Sequence, residues 1–126
     1  MNKKALATII TITIILGFAG LIIAGSNSSE PSALTYYYGV TCPYCKEVEK
    51  YIEKNKLDTL LPLEKREVYE NRKNQLELQR AARKCGLDIR SAGVPFLVSE
   101  GKCIEGYENI IAELDKLAKI SKNEKE

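Results

Sequence analysis

Two cysteines separated by two residues, in the run Cys42-Pro43-Tyr44-Cys45, restrict this chain more than any other feature. Gly39-Val40-Thr41 before them reads as a turn, and Pro43 suits the first turn of a helix, where its missing N–H costs nothing. A strand therefore ends just ahead of the motif and a helix begins within it. The N-terminus of a helix offers free N–H groups and partial positive charge, which stabilise a thiolate on the first cysteine. A thiolate attacks other disulfides, and the second cysteine can then resolve the mixed disulfide. The chain contains no His, which removes a Cys/His nucleophilic pair and a Cys2His2 zinc site.

The length of 126 residues allows one domain plus an N-terminal segment. Ala5 to Ala24 carries no charge and is rich in Ile, Leu, Ala and Thr. About 20 apolar residues span a bilayer as a helix, against about 7–15 in the apolar core of a cleaved signal peptide. The expectation is an uncleaved transmembrane anchor over 1–25, with a cleaved signal peptide as the competing reading. Lys3 and Lys4 precede the run, and the first charge after it is Glu30. The positive-inside rule then leaves the N-terminus in the cytoplasm and the rest outside, anchored to the cell membrane by a single pass. Beyond Lys4 the remaining Lys and Arg balance the Asp and Glu, so charge gives no case for nucleic acid. Outside the cytoplasm, cysteines are more naturally redox-active or structural than metal-binding.

Residues 26–32 form a polar linker rich in Ser. Leu34 to Tyr38 reads as a first strand, and a helix over about Pro43 to Lys54 turns Cys45, Val48 and Ile52 inward. Leu60 to Val68 contains a partly exposed, charged second strand. Asn71 caps a helix that runs to Cys85 on Leu78, Ala81 and Ala82, and Gly86 ends it. Val94 to Val98 is a short apolar strand, Lys102 to Glu105 its antiparallel partner, and Glu108 to Ile120 a closing amphipathic helix. Ser121 to Glu126 reads as a charged, frayed tail. The order β-α-β-α-β-β-α over 33–120 fits an α/β domain with a mixed four-stranded sheet and helices on both faces.

With Cys42-Pro43-Tyr44-Cys45 after the first strand and Gly93-Val94-Pro95 opening the third, the chain resembles the thioredoxin-like superfamily, and within it the glutaredoxin-like branch. The resemblance implies the three-layer thioredoxin-like fold and a thiol-disulfide oxidoreductase. It implies that Cys42 is the exposed nucleophile, Cys45 the more buried resolving thiol, and Pro95 a proline with a cis peptide bond opposite the disulfide. Val94 then offers its backbone to an extended substrate, as a strand edge would, and Tyr44 contacts that substrate. Partners are protein thiols and disulfides, recycled by a membrane thiol carrier or a quinone-linked oxidoreductase. The pattern also departs from the family. Gly39 stands where glutathione-using members have Lys, and Glu105-Gly106 where they have Gly-Gly. A carboxylate at Glu105 repels a glutathione carboxylate, so glutathione is not the expected partner. Tyr36 stands near the place of a buried Asp in thioredoxins proper.

Four cysteines with only one C-x2-C run lack the paired knuckles of structural zinc. No metal is expected, and no cofactor beyond the redox-active disulfide Cys42–Cys45. Cys85 and Cys103 read as a structural disulfide, since exported thiols are open to oxidation. Two buried free thiols or a second exchange-active pair are the alternatives. The rival to an enzyme is a redox-inactive, peptide-binding adaptor module in which Cys42–Cys45 is a static staple.

Overall fold

Strand β1, Leu34–Tyr38, is buried on both faces and bonded along both edges. The structure, a computed structural model, describes Asn2 and residues 34–126. The chain divides into two units, Met1–Glu30 and Pro31–Glu126. Apart from Asn2, the expected anchor over 1–25 and linker over 26–32 lie outside the described residues. Among the described residues no helix is long and apolar enough to cross a membrane.

β1 pairs in parallel with β2, Glu64–Glu67, and antiparallel with β3, Phe96–Ser99; β4, Lys102–Glu105, completes the order β2-β1-β3-β4. Side chains alternate across a strand, and here the alternation serves two cores. Leu34, Tyr36 and Leu97 enter one cluster; Tyr37, Phe96 and Val98 enter the other. The first face is covered by α1, Pro43–Lys54, by the short α2, Leu57–Leu60, and by α4, Tyr107–Glu124. Val48 and Ile52 of α1 and Ile110 and Leu114 of α4 are each 0% exposed. Each such aliphatic side chain contributes about 1.5–3 kcal/mol through burial. The second face is covered by α3, Arg72–Lys84, through Leu78, Ala81 and Ala82.

β2 is charged because it is an edge strand with little to bury. Its Arg66 reaches inward toward Glu77 of α3, with Nε 4.0 Å from Oε1. That buried carboxylate also accepts a hydrogen bond from the Tyr37 hydroxyl at 3.1 Å. Burial first, and the Glu77 charge second, push the Tyr37 hydroxyl well above its ordinary range, so Tyr37 is a neutral donor there. α3 is capped as expected: Asn71 Oδ1 accepts from the Asn74 N–H at 3.2 Å. Gly86, at φ +74°, supplies the left-handed turn that ends it.

Three expectations need correction. α2 was not foreseen, because one helical turn with a single buried anchor, Leu57, leaves no periodic signal. The third strand begins at Phe96, since Val94 and Pro95 lie outside the β1–β3 ladder. The tail over 121–126 is helical through Glu124; Ser121 Oγ donates to the Leu60 carbonyl at 3.4 Å, which holds this last turn.

Cys85 at the C-cap of α3 is bridged to Cys103 of β4, with their Cα atoms 6.2 Å apart. The sequence separation of 18 closes a loop carrying Val94, Pro95 and all of β3. Cross-linking a loop of that size stabilises a fold by ~3 kcal/mol. The double variant Cys85→Ser/Cys103→Ser is expected to lose about that much in denaturant unfolding; an unchanged midpoint would show that the bridge carries no stability.

Candidate active site

The chain leaves β1 through Gly39, whose carbonyl accepts from the Cys42 N–H at 3.1 Å. Cys42 then caps α1 with extended backbone, and Pro43 occupies the first turn. The Cys45 N–H donates to Cys42 Sγ at 3.2 Å. The two sulfurs form a disulfide across Cα atoms 5.2 Å apart. The first turn of α1 contains no acidic residue, so no side chain of that turn opposes the positive helix end. Lys46 is exposed, and its backbone N–H donates to the Cys42 carbonyl at 3.3 Å.

Cys45 is 0% exposed and Cys42 only 4%. The ranking matches the expectation, but the exposed nucleophile does not: in the disulfide form Cys42 is nearly closed off. The reason is its place at the cap, between the first turn of α1 and the Val94–Pro95 segment. Its Sγ lies 3.6 Å from the Val94 carbonyl oxygen. The Val94–Pro95 peptide bond is cis, and Pro95 is buried. The spatial meeting of residues 42 and 94, far apart in sequence, is the central geometric fact of the site.

A groove of about 420 Å³ runs from this point. Val94 and Pro95 line it, with Gly93, Glu105, Tyr44 and Tyr107. Tyr44 is 59% exposed; its ring stacks on that of Tyr107, with centroids 5.4 Å apart and planes at 18°. Sequence reasoning found Tyr44, Val94 and Pro95 and missed Tyr107. The only signal for it was an aromatic residue directly after Gly106 at the start of the last helix, and nothing local shows that α4 packs beside α1.

Two further groups hold the site in place. The Tyr36 hydroxyl donates to the Cys45 carbonyl at 3.2 Å. Burial first, then the Glu49 and Tyr38 hydroxyl charges, raise its pKa well beyond the ordinary tyrosine range. It acts as a donor that pins α1 to β1. Glu67, at the end of β2, belongs to a charged run that reads in the sequence as a solvated face, yet its carboxylate is bound to backbone. Its carboxylate accepts from the backbone N–H groups of Tyr69, Glu70 and Asn71 at 2.7, 2.9 and 3.1 Å. It also reaches the Val40 N–H, 3.4 Å away, in the turn that delivers Cys42. Gly39 in that turn lies against the Tyr69 ring, where an added Cβ would come within 2.5 Å of ring carbons.

Among the described residues no group of three or more His, Cys, Asp or Glu could hold a metal ion. No protein-family model matches the chain, and no curated protein does. The mixed four-stranded sheet and the Cys42–Cys45 disulfide are compatible with a thioredoxin-like fold.

Partial desolvation raises the Glu67 pKa, but the backbone donors together outweigh it and hold the carboxyl below its ordinary value of 4.5. A depressed folded pKa gives stability that is complete above the unfolded value and is lost as pH falls through the folded one. Acidification below about pH 4.5 should therefore loosen the wild-type chain more than Glu67→Gln, read as the denaturation midpoint against pH; parallel curves would exclude the role given to Glu67. Removing the buried tyrosine hydroxyl in Tyr36→Phe should cost about 1 kcal/mol of stability, measured by urea unfolding, and a neutral result would show that the bond to Cys45 contributes nothing.

Proposed function

We propose that this chain is a membrane-anchored, extracytoplasmic thiol-disulfide oxidoreductase of the thioredoxin-like superfamily, closest in pattern to its glutaredoxin-like branch. The observation that carries the reading is the Cys42–Cys45 pair at the N-terminus of α1, with the Val94 carbonyl 3.6 Å from Cys42 Sγ. A dithiol at a helix end, beside a length of backbone free of the sheet ladder, supports exchange with an extended protein chain.

In the reducing direction the Cys42 thiolate attacks one sulfur of a substrate disulfide. The substrate S–S bond breaks, and one substrate sulfur leaves as a thiolate that takes a proton from water. The Cys45 thiolate then attacks Cys42 Sγ, closes the intramolecular disulfide and expels the second substrate thiol. Two electrons pass from the dithiol to the substrate. In the oxidising direction every step reverses. Both run through a mixed disulfide at Cys42 and differ only in the relative stability of the two redox forms. No cofactor beyond the disulfide takes part. Recycling falls to a membrane thiol carrier or a quinone-linked oxidoreductase, and protein thiols and disulfides are the substrates.

The near closure of Cys42, at 4% exposure, favours one second reading: a redox-inactive module that holds peptides in the groove. The full chain in detergent micelles, supplied with dithiothreitol, should accelerate insulin reduction. Cys42→Ser should remove this activity and Cys45→Ser should accumulate mixed disulfides on gels. An active Cys42→Ser variant would refute the assignment, and a reduction potential below about −300 mV would favour the static staple.

A further inference from the structure

The groove beside the disulfide carries charge of one sign only. Among the described residues Glu105 is the one charged residue that lines it. Its side chain is exposed and makes no ion pair among the described residues. Two stacked phenol rings, Tyr44 and Tyr107, line the same groove. The Tyr107 hydroxyl donates to Glu108 Oε1 at 3.1 Å, which puts a second carboxylate at the edge of the pair. Two cations on the flanking segments are held in ion pairs of their own. Lys50 pairs with Glu47 at 2.8 Å, and Arg90, which precedes the lining residue Ser91, pairs with Asp88 at 3.5 Å.

We propose that Glu105 is a specificity-determining residue that selects protein disulfides carrying a lysine or arginine next to the reacting cysteine. The inference rests on the oxidoreductase reading and names its substrate class. Val94 both approaches Cys42 Sγ and lines the groove, so a chain that presents its sulfur to Cys42 lays its neighbouring residue into the groove. A long cationic side chain rests its apolar stem on the exposed face of Tyr44, and its charged head reaches Glu105. A neutral neighbour gains only the stacking surface. An acidic neighbour meets like charge. The contact is equal before and during exchange, so it acts on KM and leaves kcat unchanged.

The test uses the full chain in detergent micelles and three peptide disulfides of identical length, with Lys, Gln or Glu flanking the cysteine, beside neutral hydroxyethyl disulfide. Rates are divided by those with dithiothreitol alone, which removes the effect of flanking charge on the thiol itself. The Lys peptide should exceed the Gln peptide in kcat/KM by about fivefold at low salt, through KM, with the margin shrinking at high salt. Glu105→Gln should erase the margin and Glu105→Lys should reverse it toward the Glu peptide, both with hydroxyethyl disulfide turnover intact. Equal rates for the three peptides, or a margin that survives Glu105→Gln, overturns the proposal while leaving the oxidoreductase reading standing. No turnover of hydroxyethyl disulfide by the wild type overturns both.

Discussion

Everything in this domain is arranged around a strand that has no free side. β1 is paired along both edges, and its alternate residues enter different cores. A backbone held this way has little freedom to slip, because a one-residue shift would exchange Tyr36 and Tyr37 between the cores. Both rings are 0% exposed and both hydroxyls have a defined acceptor, Cys45 on one side and Glu77 on the other. The position of the cysteines follows from this rigidity. The chain leaves β1 at Tyr38, and one turn later Cys42 begins the helix.

The electrostatics around Cys42 is a contest between two backbone dipoles. The Cys45 N–H points at its sulfur from 3.2 Å, and the Val94 carbonyl oxygen lies 3.6 Å away. For a thiolate the first is attractive and the second repulsive. The shorter contact belongs to the donor, and the helix end adds a favourable contribution on the order of 0.3–1 kcal/mol. In the neutral thiol the same carbonyl becomes an acceptor for S–H, so a carbonyl there tempers the helix end. Glu67 serves the contest indirectly, by fastening the Val40 turn that fixes where the sulfur can sit.

How far the sequence revealed this depends on the range of the interaction. The cysteine motif, the capped helix at Asn71 and the terminator at Gly86 were legible because each is a local preference of backbone and side chain. The first strand and the apolar third strand were legible from composition, and so was the pairing of Cys85 with Cys103 as the favoured arrangement. β2 was readable only as an ambiguous stretch, since an edge strand of Glu, Lys and Arg has no hydrophobic alternation. α2 escaped because Leu57 is buried by tertiary contact with no pattern around it. Tyr107 and Glu67 escaped for a different reason. Their roles come from neighbours distant in sequence, Tyr44 and Val40, and no periodicity encodes that. The low exposure of Cys42 has the same origin, in the approach of Val94.

The two bridges lie one after the other along the chain, Cys42 with Cys45 and Cys85 with Cys103, and they do not cross. Four cysteines allow three connectivities, and this one joins each cysteine to the next available along the chain. A polypeptide is made N-terminus first. The first pair is complete as soon as its second member emerges, well before Cys85 exists. Closing the first pair needs nothing beyond Cys45, whereas the second bridge waits until β4 brings Cys103 to the end of α3.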